Sequence, residues 1–109
     1  MRIIIIRRLY LGKNFAAINI LGFVFSNRKL GPVLTNHEYI HTLQQREMLF
    51  IFFYIWYLAE WLIKLLYYHD SIKAYDNISF EREAYSNQAD NEYPRKRRHY
   101  EWTKYIFSH

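Results

Sequence analysis

The sequence predicts one α+β domain, with strands first and helices after. Three observations lead there. The front third holds two runs rich in β-branched and aromatic residues, at 3–6 and 15–25. The segment Ser-Asn-Arg-Lys-Leu-Gly-Pro at 26–32 carries turn chemistry. From Asn36 to Tyr93 there is neither Gly nor Pro, so helix is the natural state of most of that span. A chain of 109 residues suits one domain around one modest core.

Ile3 to Ile6 reads as the first strand. Phe15 to Phe25 reads as the second, bulged at Gly22 or folding back there to give a third. Asn36 is the preferred N-cap, because its side chain can satisfy the free amides of a helix starting at His37. One helix is expected over about 37–47 and an apolar one over about 49–67, with a break between them of uncertain position. His69-Asp70-Ser71 reads as a turn. Ser79 is positioned to cap a helix over about 79–91, which Pro94 stops. A short amphipathic helix is expected from Arg97 to Ile106.

Composition narrows the chemistry. Cysteine is absent, so neither a disulfide framework nor a thiolate metal site is available. Any metal must be held by His and carboxylate. The formal charge is +5, with Arg2, Arg7, Arg8 and Lys13 near one end and Arg95 to Arg98 near the other. Such a balance permits contact with anionic lipid or nucleic acid. Met1-Arg2 and four isoleucines run straight into Arg7 and Arg8, too short for the roughly 7–15 apolar residues of a secretory signal. A cytoplasmic setting is expected, with peripheral membrane contact open.

The pentapeptide His37-Glu38-Tyr39-Ile40-His41 carries the most chemistry. Residues four apart lie one above the other on a helix, so both imidazoles can reach one metal ion. Glu38 falls where a general base for attacking water must be. A hydrolytic zinc site needs a third protein ligand, and Phe80-Glu81-Arg82-Glu83-Ala84-Tyr85 offers two acids. Read without that partner, His37 and His41 are ordinary half-buried residues and Glu38 is solvated. Gln44, Gln45 and Glu47 read as a polar helix face.

On these residues the chain resembles the zincin metallopeptidases, and among them the gluzincins, whose third ligand is a Glu on a later helix. Glu81-Arg82-Glu83-Ala84 follows the E-x-x-A form of that segment, and departs at Tyr85, where the family usually has Asp or Asn. Glu83-Ala84-Tyr85-Ser86-Asn87 follows a second form. The resemblance implies a minimal zincin-like domain with Zn2+ on His37, His41 and Glu81, with Glu83 as the alternative. Glu81 is preferred because a small Ala84 at i+3 lets the two helices approach closely. It further implies hydrolysis of a peptide or protein substrate, with Glu38 as general base. Tyr85, Tyr75 and His69 are the candidates for stabilising the oxyanion. The strand before the active helix would pair with extended substrate, or serve only the core.

Met48 to Tyr68 is long enough to cross a bilayer, which takes about 20 apolar residues. Glu60 and Lys64 interrupt it, spaced as a surface ion pair on a soluble helix. A single crossing would also place the His pair and Glu81 on opposite sides of a layer about 30 Å thick. The run is therefore read as a core helix that also exposes apolar surface to a membrane face, a partner or a second copy. Arg95 to Arg98 reads as a solvated helix face first, a lipid contact second and a nucleic-acid contact last. Two other readings stand beside the peptidase: a non-enzymatic membrane-associated protein built on 48–68, and a zincin-like scaffold that binds metal or peptide without cleaving.

Overall fold

The computed structural model of the chain describes residues 1–6, 8 and 17–107. Phe15 and Ala16 of the second apolar run, and the basic residues Arg7 and Lys13, lie outside the described residues. Among the described residues the architecture is α+β: a three-stranded sheet followed by five α-helices and a 3-10 turn.

The second run does fold back at Gly22. Strand β2 (Ala17–Ile20) and strand β3 (Phe23–Ser26) form an antiparallel hairpin, with Ile20 opposite Phe23. The two-residue loop Leu21-Gly22 has φ of 54° and 88°, the left-handed pair that a tight hairpin requires. Gly22 adopts this freely. Leu21 does not, and its amide is held by the Tyr54 hydroxyl at 2.7 Å. Strand β1 (Arg2–Ile5) runs parallel to β3, so the order is β1-β3-β2 and β2 lies at an edge among the described residues.

Helix α1 (Pro32–Glu47) begins five residues before the expected start. Gly31 occupies the N-cap and Pro32 the first turn, where a fixed φ and a missing amide do no harm. Asn36 is thus inside the helix, not at its cap. Its side-chain amide instead donates to the carbonyls of Gln88 and Asp90, each at 2.8 Å, and ties α1 to the end of a later helix.

Leu49 and Phe50, both at positive φ, break the chain between α1 and helix α2 (Ile51–Tyr68). His69 ends α2 in the left-handed conformation and Asp70 caps a short helix, α3 (Ser71–Asp76), where the sequence gives a turn at 69–71 and no element after it. Helix α4 (Ser79–Asn87) stops four residues short of the expected Asn91, and its N-cap is Ile78 rather than Ser79. Pro94 opens helix α5 (Tyr93–Lys96) instead of ending α4. The expected helix over 97–106 is reduced to a 3-10 turn at Glu101–Tyr105.

The core gathers Phe53 from α2, Ile78 and Phe80 at the start of α4, and Trp102 from the 3-10 turn. A second cluster joins Ile40, Ala84 and Tyr93, so the small Ala84 is where α1 and α4 meet.

Three expected surface features are buried. Glu60 is not half of an exposed ion pair. It accepts from the Ser79 hydroxyl at 2.6 Å and from the Ser79 amide, and so caps α4 from α2. Lys64 donates to the carbonyls of Asn77 and Ile106 and lies 3.5 Å from Glu60. The two residues fasten α2 to the body, which is why burial tolerates their charge. Gln44, Gln45 and Glu47 are likewise not a polar face. All three side chains are buried and bonded. In the basic run, Arg97 turns inward between Glu47 and Glu83, while Arg95, Lys96 and Arg98 stay exposed.

Candidate metal centre

Helix spacing puts His37 and His41 on one face of α1, and both rings are buried. Their Nε2 atoms lie 3.1 Å apart. Glu81 enters from α4, with Oε1 at 3.0 Å from His41 Nε2 and 3.4 Å from His37 Nε2. The three atoms form a nearly equilateral triangle. An ion about 2.0–2.1 Å from each of them in tetrahedral geometry needs ligand separations of about 3.3 Å. The triangle therefore has the dimensions of a tetrahedral His-His-Glu face.

Protons sharpen the point. Gln44 Nε2 donates to the Phe80 carbonyl at 3.0 Å and to Glu83 Oε1 at 2.9 Å. Its Oε1 is thereby left to accept from His41 Nδ1 at 2.8 Å. His37 Nδ1 faces Gln88 Oε1, also at 2.8 Å. Gln44 thus takes the Nδ1 proton of His41 and turns Nε2 of that ring towards His37 and the Glu81 carboxylate. The carboxylate and the two ring nitrogens are held close by a positive charge between them, a proton on His41 Nε2 or a metal ion in its place.

The electrostatics agree. Burial opposes a charge on His41, yet the adjoining Glu81 carboxylate overrides it and raises the ring to about 9. Burial would likewise push Glu81 up, but His41 and His37 hold it below the usual carboxylate range. The pocket demands positive charge.

Glu38 lies beside this triangle, its carboxylate within 4.8 Å of the ligand atoms of both rings. Its Oε2 is buried with no hydrogen-bond partner. Burial pushes its carboxyl up, with the two His pulling the other way. An acceptor left unsatisfied next to two imidazoles is the second sign that a group belongs here. Tyr57 donates to the remaining Glu81 oxygen at 2.8 Å, and burial beside that carboxylate keeps the phenol protonated.

No family model, curated protein or solved structure matches the chain. The site must be read from its own chemistry.

A cavity of about 380 Å³ opens in front of Glu38, His41 and Glu81. One wall is β2, residues 17–20; the others are Gln45, Phe53, Tyr54, Tyr57 and Tyr75. Asn19 fixes β2 to α1, its amide donating to the Glu38 carbonyl and the Thr42 hydroxyl, both at 2.9 Å. Of the three residues suggested for the oxyanion, Tyr75 lines this cavity. Tyr85 stacks edge-on against His37 at 4.5 Å, and His69 ends α2 away from the lining.

Glu83 stands apart from the imidazoles. Its carboxylate accepts from Tyr93, from Gln44 and from two nitrogens of Arg97, at 2.7–3.0 Å. Gln44, Gln88, Tyr57 and Asn19 belong to the site without being expected there from the sequence. Gln44 had a usable signal, since it follows His41 by one helical turn, and so had Asn19, a polar residue in an apolar run. Gln88 and Tyr57 carried none.

Proposed function

We propose that this chain is a small zinc-dependent metallopeptidase with a minimal zincin-like site. His37, His41 and Glu81 hold the metal, and Glu38 is the general base. The observation that carries the reading is the triangle of His37 Nε2, His41 Nε2 and Glu81 Oε1 beside the unpartnered Glu38 oxygen. The donor set is nitrogen and oxygen from three side chains, which suits a hydrolytic zinc site with one position left for solvent. When bound, zinc lowers the pKa of a coordinated water to about 7 and polarises a carbonyl.

The chain's own residues supply the rest. Glu38, desolvated and unpaired, takes the proton of the attacking water and returns it to the leaving amine. Gln44 and Gln88 fix the tautomer of the two rings, and Tyr57 aims Glu81. Tyr75 lines the cavity and is hydrogen-bonded to Tyr85, and this pair is the candidate donor for the oxyanion. The edge strand β2 forms the cavity wall, so an extended peptide can pair with its backbone beside Glu38.

Metal content tests this most directly. Purified protein should carry about one zinc per chain, and His41→Ala should lose it. Glu38→Gln should keep the metal and lose hydrolysis of unstructured peptides. Protein that takes up no zinc when supplied with it would end the proposal. A second reading, a scaffold that binds metal without cleaving, is favoured by the size of the cavity, near the low end for ligand sites. Full zinc loading with no cleavage of any peptide library would select it.

A further inference from the structure

Helix α2 wears its polarity inside out. Its buried residues are Phe53, Glu60 and Lys64. At 100° per residue these three fall within an arc of about 40°. The opposite arc, about a third of the circumference, carries Ile51, Phe52, Ile55, Leu62, Ile63 and Leu66, exposed by 46–75%. The stripe from Ile51 to Leu66 runs about 22 Å. A helix that served only a water-soluble core would show the reverse, and a continuous apolar stripe of this length marks an interaction surface.

Charge indicates what covers it. Exposed Arg46 precedes the stripe. Tyr100 lies in the groove with Phe52, Ile55 and Trp56, which brings the exposed Arg98 to the same end. At the far end Lys73 stands 5.7 Å over the Tyr68 ring, while Asp70 is taken up in capping α3. Cations therefore stand at both ends of an apolar stripe edged by Trp56, Tyr67 and Tyr100, on a chain of formal charge +5. A second copy docked on this stripe would set cation against cation in either direction. Glu60 and Lys64 pin the other side of α2 to the protein along its length, so lipid cannot surround it.

We infer that α2 lies flat in the headgroup region of an anionic bilayer, its apolar stripe among the acyl chains and its basic ends on lipid phosphates. This is independent of the peptidase reading: membrane docking and zinc binding use different faces of the fold.

Flotation of the full chain with vesicles tests it, using phosphatidylcholine alone or with one-third phosphatidylserine. Binding to the anionic vesicles should exceed that to neutral ones by roughly tenfold or more, and should fall as salt is raised. Ile55→Asp with Ile63→Asp should abolish it, with helicity by circular dichroism and zinc content unchanged. If that pair fails to fold, Lys73→Glu with Arg98→Glu should still weaken anionic binding by about tenfold. Three results overturn the inference: no flotation with anionic vesicles, flotation indifferent to both pairs, or a dimer dissociated by Ile55→Asp in a protein that ignores vesicles.

Discussion

Gln44 Oε1 accepts from His41 Nδ1 at 2.8 Å because the amide's nitrogen is already spent on Glu83 and on the Phe80 carbonyl. Gln44 cannot flip without losing two buried bonds, so it sets which nitrogen of His41 is free. Gln44→Leu should therefore lower zinc affinity by about 10–100-fold, the usual cost of losing such a support. It should also cost roughly 1–3 kcal/mol of stability for each partner left unsatisfied. A competition titration against a metal indicator checks the first and urea unfolding the second. Unchanged affinity in a folded variant would show that the ring needs no such hold.

Glu81 and Glu83 are two residues apart and should fail in different ways. Glu81→Gln removes the carboxylate facing both imidazoles, so zinc should be lost while the protein stays folded. Glu83 instead receives Arg97, whose other partner is Glu47, with Arg97 nitrogens at 2.7–3.2 Å from both acids. Burial opposes the charge on Arg97, but the two carboxylates outweigh it and lock the guanidinium in its charged form. Breaking a buried pair from one side costs about 3–5 kcal/mol. Glu83→Gln should thus show a large drop in unfolding free energy, and any zinc loss should follow the unfolded fraction. Zinc lost from a stably folded Glu83→Gln, with Glu81→Gln still loaded, would reverse the two roles.

The contrast shows what the sequence could and could not tell. The His pair and its convergence were legible, because i,i+4 spacing on a helix is a local property. The fold-back at Gly22 was legible only as one of two alternatives, since a lone Gly in an apolar run marks either a bulge or a change of direction. The start of α1 was not, because Gly31-Pro32 serves equally as a turn and as a helix entry. Which of Glu81 and Glu83 faces the imidazoles depended on Arg97, fourteen residues beyond Glu83 and drawn in by the fold alone. The burial of Glu60 and Lys64 was also hidden. An i,i+4 pair reads the same facing water or protein, and a helix apolar on nearly every side does not declare its inner face.

Glu60 offers a prediction of its own. Its carboxylate takes the Ser79 hydroxyl at 2.6 Å, the Ser79 amide, and Trp56 Nε1 at 3.2 Å. It therefore starts α4, the helix that delivers Glu81. Burial holds the Lys64 amine below its ordinary value despite Glu60. Glu60→Ala should destabilise by about 3–5 kcal/mol, as expected when a buried charge loses its partner. Glu60→Gln with Lys64→Met removes both charges together and should recover part of that loss, since the surviving group is no longer an unpaired ion. Denaturant melts of Glu60→Gln, of Lys64→Met and of the double variant give the coupling directly. Additive losses would mean that the two residues act separately.

Glu38 should behave in the opposite sense. Its Oε2 is buried without a partner, close to two rings and within the field of Glu81. Nothing in the fold depends on that oxygen, whereas desolvating it has a cost. Glu38→Gln keeps the volume and removes the buried charge, so metal-free protein should be as stable as the parent or more stable by about 1 kcal/mol. The same substitution should abolish hydrolysis while zinc stays bound. A gain in stability joined to a loss of chemistry is the mark of a group held in an unfavourable place for its reactivity. A Glu38→Gln variant less stable than the parent by 1 kcal/mol or so would instead make Glu38 a structural residue, and the general base would have to be sought elsewhere in the cavity.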